Sequence, residues 1–200
     1  MSNGQPESPQ PTHVIRAQRV YLRPAERADL PTFVRWLTDA EVTKHLAIRS
    51  PISQAMEEKW FDQMVEKQGK DHYHFVICLI DGDVPIGATD LRDIDLENGN
   101  AGFGIVIGEK AEWNKGYGTE TLQAISDFGF GQLRLERIYL EVYAPNKAGQ
   151  RAYQKAGFVE EGTLRSAHFA DGKHLDAVIM SLLRDEWLAL PRPKSWEHAF

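Results

Sequence analysis

Apolar side chains mark the chain into stretches of different period. Over residues 14–24, Ile15, Val20 and Leu22 fall in a β-prone stretch, and over residues 25–39, Leu30, Phe33, Val34 and Leu37 recur at helical spacing. A strand followed by a helix is predicted. Ser53 opens a second helical run that ends near Gly69, with Met56, Trp60, Phe61 and Met64 as its apolar face. From His72 the period shortens to that of strands. Residues 72–80, the turn Asp81-Gly82-Asp83, residues 84–94, a polar turn over 95–100 and residues 102–108 read as an antiparallel meander. Helical spacing returns over residues 117–133 through Leu122, Ile125 and Phe128. Residues 138–143 then set Ile138, Leu140 and Val142 against Tyr139, Glu141 and Tyr143, as in a half-buried strand. A short helix over 146–156 is closed by Gly157, and residues 158–165 and 173–183 form a hairpin around Ala170-Asp171-Gly172. This order predicts an α+β fold with a single mixed, mostly antiparallel sheet flanked by helices.

Residues 1–12 hold three prolines, two serines and two glutamines and almost no apolar mass, so a flexible tail is expected there. Residues 13–190 form one domain without an internal repeat, and residues 191–200 read as a short polar tail after the amphipathic turn around Trp187. The 200 residues are 42% hydrophobic and 26% charged, which suits one well-filled core. The longest apolar run, residues 75–80, is far too short to cross a bilayer, and the amino terminus lacks the basic-then-apolar start of an export signal. Neither a membrane nor, at a net charge of -6, a nucleic acid is the expected partner. The single cysteine, Cys78, forms no internal disulfide, and a cytoplasmic location is expected.

Two segments carry candidate chemistry. In Trp113-Asn114-Lys115-Gly116-Tyr117-Gly118-Thr119-Glu120, glycines separated by one residue precede a helix. They permit a sharp turn and close approach of backbone to ligand, while the helix N-terminus presents unpaired N–H groups. The run lacks the Lys-Ser/Thr of a phosphate-binding P-loop and the third glycine of a dinucleotide fingerprint, so it is either an anion cradle or a plain strand-to-helix turn. In the second segment, residues 140–158, Asn146 follows a proline at the start of a helix and Tyr153 lies two turns on along nearly the same face. Asn146 as a simple cap and Tyr153 as a packing residue stand beside a functional reading.

Together, in this order and separated by one helix and one strand, these segments resemble the acetyl-CoA-binding and catalytic segments of the GNAT superfamily of N-acetyltransferases. The likeness is nearest to the Rim-type branch of ribosomal-protein N-terminal and spermidine acetyltransferases, and covers about residues 14–187. The resemblance implies that Asn114, Lys115, Gly116, Tyr117, Gly118 and Thr119 hold the pyrophosphate of acetyl-CoA, the co-substrate. Ile105, Val106 and Ile107 run beside its pantetheine arm, in a gap where this strand splays from the strand at 138–143. Asn146 matches the asparagine that contacts cofactor or substrate, Tyr153 the general acid, and Glu141 the general base of the Rim type. A primary amine, on a protein N-terminus, a polyamine or another small molecule, is the implied acceptor, and the branch leaves self-association into a homo-oligomer open.

Elementary chemistry agrees with these residue types. A protonated amine cannot attack a thioester until a carboxylate, or water held by one, removes a proton, and a phenol still protonated at neutral pH can donate to the departing thiolate. Transfer within a ternary complex needs no enzyme nucleophile, so Cys78 is assigned to packing. Three positions depart from the family pattern: Trp113 before the glycines, Gly102 where an acidic residue often starts the strand, and Gly149 inside the last helix. His72 and His74 share a strand face but lack a third ligand, so no metal is assigned. The acidic groups Asp90, Asp93, Asp95, Glu97 and Glu57, Glu58, Asp62 are either a wall attractive to a cationic amine or solvated faces. An O-acyl transferase on the same scaffold and a non-catalytic acyl-CoA-binding sensor or complex subunit are the competing functions, and retention of both Glu141 and Tyr153 favours catalysis.

Overall fold

The computed structural model describes residues 15–48 and 50–197. The expected flexible tail at residues 1–12 lies outside them. The first predicted strand is two: β1 (Ile15–Arg16) turns back into β2 (Val20–Pro24), with Ile15 opposite Leu22 and the Ala17 N–H donating to the Val20 carbonyl at 2.9 Å. A 3-10 turn (Arg27–Asp29) leads into α1 (Leu30–Leu37), which carries a proline in its first turn, where the missing N–H has no helical partner to lose. A one-turn helix, α2 (Ala40–Thr43), follows, capped by the Asp39 side chain, which accepts from the Glu41 N–H. α3 (Gln54–Lys67) starts where the cap was expected, the Ser53 hydroxyl accepting from the Met56 N–H. Its buried stripe is rotated from the predicted one: Met56 is 47% exposed and Glu57 only 5%, so that burial raises the pKa of the Glu57 carboxyl.

The meander follows as β3 (Tyr73–Leu79), β4 (Pro85–Asp95) and β5 (Asn100–Ile107). After α4 (Tyr117–Gly131) come β6 (Arg137–Tyr143), α5 (Lys147–Lys155), β7 (Val159–Ala170), β8 (Lys173–Leu183) and α6 (Arg184–Ala189). The eight strands form one sheet in the order β1-β2-β3-β4-β5-β6-β8-β7. Every neighbouring pair is antiparallel except β5 and β6. β7 runs further than the sequence suggested, to a turn where Asp171 and Gly172 both take positive φ, the geometry that matches the twist of a hairpin.

Register assigns side chains to the two faces. On one face Leu91, Phe103, Ile138, Leu140 and Met180 meet Leu122, Ile125 and Phe130 of α4 in the larger core. On the other, Val76 and Cys78 meet Phe33 and Trp36 of α1 and Phe61 and Met64 of α3. Cys78 is fully buried in this second core, and burial raises its thiol pKa, as a packing residue requires. The polar segment after α6 is held at Asp127 of α4, 1% exposed, whose carboxylate accepts from Arg192 at 2.7 and 2.9 Å, from the Ser195 N–H at 2.7 Å and from the Trp187 indole at 2.7 Å. Trp196 packs edge-on to Trp187.

Candidate active site

Trp113-Asn114-Lys115-Gly116 makes the turn into α4. Asn114 and Gly116 have φ of 61° and 88°, and Gly116 is the residue before the helix. The Gly116 carbonyl accepts from the Glu120 N–H at 3.1 Å, while the N–H groups of the preceding helical positions have no acceptor inside the helix. A Cβ built on Gly118 would meet nothing within 4 Å, so the space before the first turn is open. The turn is braced from the residue that precedes β2: the Arg19 guanidinium donates to the Lys115 carbonyl at 3.1 Å and to Glu120 at 2.8 Å, and lies 4.7 Å from the Tyr117 ring centre. Trp113 serves as a brace too, its indole donating to the Ile107 carbonyl at 2.8 Å. Beside the turn a cleft of about 430 Å³ is lined by Gly116, Thr119 and Lys155 and by two ion pairs, Arg19 with Glu120 and Arg192 with Asp127, so that Lys155 is the lining cation without a carboxylate partner among the described residues.

β5 and β6 pair only at Asn100–Arg137, Ala101–Ile138 and Gly102–Tyr139. Beyond Gly102 the two strands part, and the edge of β5 from Phe103 to Ile107 that faces β6 has no strand partner among the described residues. The result is a slot through the sheet. Ile105 and Ile107 border the larger core and Val106 the smaller one, so all three hold this edge in place from both sides. At the end of β5 the Trp36 ring lies against Gly108, where any side chain would collide with it.

Tyr153 on α5 reaches toward the slot from the α4 face. It packs against the rings of Phe103 and Phe158 at 6.4 and 6.3 Å, and its hydroxyl has no hydrogen-bond partner among the described residues. Burial pushes its pKa up to about 12, with only partial relief from Arg92, so the phenol stays protonated. Asn146 caps α5, its side-chain carbonyl accepting from the Gly149 N–H at 2.9 Å. A Cβ on Gly149 would lie 2.8 Å from the Asn146 side-chain nitrogen, which ties this departure from the family pattern to the cap.

Glu141 lies on the opposite face of β6, together with Tyr139 and Tyr143. Its carboxylate is bonded to Nε2 of His168, whose ring packs on Tyr143 at 4.6 Å. His168 was not singled out by sequence. It reaches Glu141 from β7, across the intervening β8, at an irregularity in register between Leu164 and His168. The same face continues over β5 and β4. Gly102 is covered by Arg92, whose Cγ lies 3.4 Å from where a Cβ would stand, and a Cβ on Gly104 would collide with the guanidinium and lie 2.8 Å from Asp90. Arg92 therefore covers the Gly102 position, where an acidic residue is often found, and pairs with Asp90 at 2.8 Å beside Gly104. Among the expected acidic walls, Asp95 instead closes its own turn, accepting from the N–H groups of Glu97 and Asn98, and Asp62 pairs with Arg27. Asp90 lies beside His72 and His74, because β3–β4 register sets it directly opposite His74.

A family model for the acetyltransferase (GNAT) domain matches residues 19–159. An uncharacterized N-acetyltransferase, p20 of Bacillus licheniformis, is 31% identical over 176 residues, covering 86% of this chain and 97% of its own. The spermidine N(1)-acetyltransferase of Escherichia coli K12 is 29% identical over 174 residues, covering 86% of this chain and 90% of its own. Among solved structures, the spermidine N-acetyltransferase of Vibrio cholerae in complex with CoA and spermine superimposes with a TM-score of 0.79 at 25% identity, over 85% of this chain and 98% of that one. The slotted sheet, the glycine turn at the start of α4 and a domain match over most of the sequence agree, and the chain belongs to the GNAT acetyltransferase family.

Proposed function

We propose that this N-acetyltransferase moves the acetyl group of acetyl-CoA directly onto a primary amine of a small polycation, with Glu141 and Tyr153 acting from opposite sides of the slot between β5 and β6. The observation that carries this reading is the slot itself: it is the one route by which a carboxylate on one face and a phenol on the other can address the same thioester. Residues 114–119 receive the pyrophosphate on their unpaired N–H groups, and residues 105–107 offer a strand edge to the pantetheine arm. Asn146 fixes the start of α5 and hence where Tyr153 stands.

Glu141, held by His168, takes a proton from the ammonium form of the acceptor, directly or through water. The amine nitrogen attacks the thioester carbonyl, the C–S bond breaks, and Tyr153 donates to the leaving sulfur; amide and CoA thiol leave with all atoms accounted for. A phenol with a pKa of about 12 remains a donor throughout the working range, so no alkaline fall in rate from Tyr153 is expected below about pH 11. Spermidine N-acetyltransferases align with this chain over 90% or more of their own length, which favours a polyamine over a protein N-terminus. Among the described residues no helix is long and apolar enough to cross a membrane, and the buried thiol of Cys78 suits the cytoplasm.

The test is CoA thiol release with spermidine, spermine, simple diamines and N-terminal peptides. Polyamines are expected to turn over and peptides not. Tyr153→Phe is expected to keep acetyl-CoA affinity and lower kcat by about 10²-fold, and Glu141→Gln to lose most near neutral pH and recover at alkaline pH, where free amine is abundant. Wild-type rates in both variants would refute the acid-base assignment, and acetyl-CoA binding with no turnover on any amine would identify a sensor.

A further inference from the structure

A second constellation lies on the Glu141 face and shares Asp90 with the Arg92–Asp90 pair. His72 precedes β3, His74 lies on it two residues later and therefore on the same side, and Asp90 faces His74 across the β3–β4 ladder. One ligand atom from each falls within 4.8 Å of the others, and His72 Nε2 is 3.7 Å from Asp90 Oδ2. We propose that His72, His74 and Asp90 form a binding site for one divalent transition-metal ion of the zinc type.

An ion pair between His72 and Asp90 would account for two of these groups and leave the third unexplained. His74 is only 8% exposed, enclosed edge-on by Trp60 at 4.9 Å and Phe33 at 6.1 Å, and neither ring nitrogen has a hydrogen-bond partner among the described residues. A desolvated imidazole without partners is costly, and natural cores rarely keep one. His72 Nε2 is likewise unpartnered by hydrogen bonding. A cation would accept a lone pair from each ring and from the carboxylate at once. Zinc–nitrogen bonds of about 2.0–2.1 Å put ligand atoms roughly 3.4 Å apart, so atoms that now lie within 4.8 Å of one another draw in by up to about 1.4 Å to close the set.

The surroundings are those of a prepared site. Arg92 donates to Asp90 Oδ1 at 2.8 Å, which turns Oδ2 toward the rings, and the Gln68 side chain accepts from the His74 N–H at 2.9 Å, which fixes the strand position. Two imidazoles and one carboxylate favour Zn²⁺, Co²⁺ or Ni²⁺ over Mg²⁺ and Ca²⁺, which select all-oxygen sets. Three protein ligands leave a further coordination position for water or another small ligand.

The test uses the full chain, stripped with a chelator and titrated with Co²⁺, whose visible d–d bands report coordination without any need for turnover. One ion per chain, with bands that Zn²⁺ abolishes, is expected. His72→Ala, at a half-buried position, and Asp90→Asn are each expected to weaken binding at least tenfold; His74→Phe, which keeps a ring against Trp60, is expected to abolish it. Absence of saturable binding in the wild type, or Co²⁺ spectra and affinity unchanged in both His72→Ala and Asp90→Asn, would overturn the site. Melting curves of each variant separate loss of the ion from loss of the fold.

Discussion

Asp127 and Asp90 are both inward-facing carboxylates paired with an arginine, and they differ in how completely they are served. Asp127 is 1% exposed, and both its oxygens are engaged by Arg192, the Trp187 indole and the Ser195 N–H. Asp90 receives one bond from a 42% exposed Arg92, and its other oxygen looks at His72 Nε2 and the His74 ring, whose nitrogens have no hydrogen-bond partner among the described residues. With both oxygens taken, the Asp127 carboxylate works as a clamp, holding the segment after α6 to α4. The Asp90 carboxylate, nearer the surface with a side chain 19% exposed, keeps lone-pair capacity for something else.

The contrast can be broken most directly at Asp127. Asp127→Ala strands Arg192 and the Trp187 indole together, and a loss of about 3 kcal/mol or more is expected, a fall in Tm of roughly 6 °C or more for a chain of this size. A melt within error of wild type would remove the clamp. A double-mutant cycle of Asp127→Leu and Arg192→Leu sharpens the point, with a coupling of about 1–3 kcal/mol expected because the two groups share one buried contact. Asp90→Asn in metal-free protein is expected to cost less than about 1 kcal/mol, the range of half-exposed pairs; a larger loss would put Asp90 in the same class as Asp127. Tyr153→Phe has the smallest expected effect, within about 0.5 kcal/mol at neutral pH, since no hydrogen bond to its hydroxyl is lost. At high pH the sign turns against the wild type. The folded-state pKa of Tyr153 is raised from 10 to about 12, so its contribution is complete below pH 10 and is lost as pH climbs through 12, a decline the Phe variant lacks at this position.

The parts of this molecule that could be read from sequence are those where one local signal suffices. Ser53 before an apolar run, the alternation of Ile138, Leu140 and Val142, and Asp171-Gly172 each carry their own geometry. α2 was not visible, because a single turn depends on the Asp39 cap and on burial of Val42 rather than on any periodicity. Most of β7 is exposed, so its full length left no alternation to detect. The glycine turn at 114–119 was legible for the same reason as the hairpins, whereas the partners of the chemical residues were not. His168 meets Glu141 only because β8 lies between their strands and β7 is irregular there, and Asp90 looked like one member of an acidic run until register set it opposite His74. Contacts across strands are properties of register, which no single segment states.

The parting of β5 from β6 also bears on how the molecule breathes. Among the described residues three rungs are all that join the panel β1–β5 to the panel β6–β8 within the sheet, and they sit at one end, like a hinge. Any molecule that lies in the slot with amides of its own supplies rungs that the chain omitted, and so laces the panels together. Amide protons of residues 103–107 on the slot side should then exchange with solvent quickly in the empty protein and slowly in the filled one, while those of β6 that bond to β8 change little. The cut in the sheet makes the ligand a structural member of the fold for as long as it is bound.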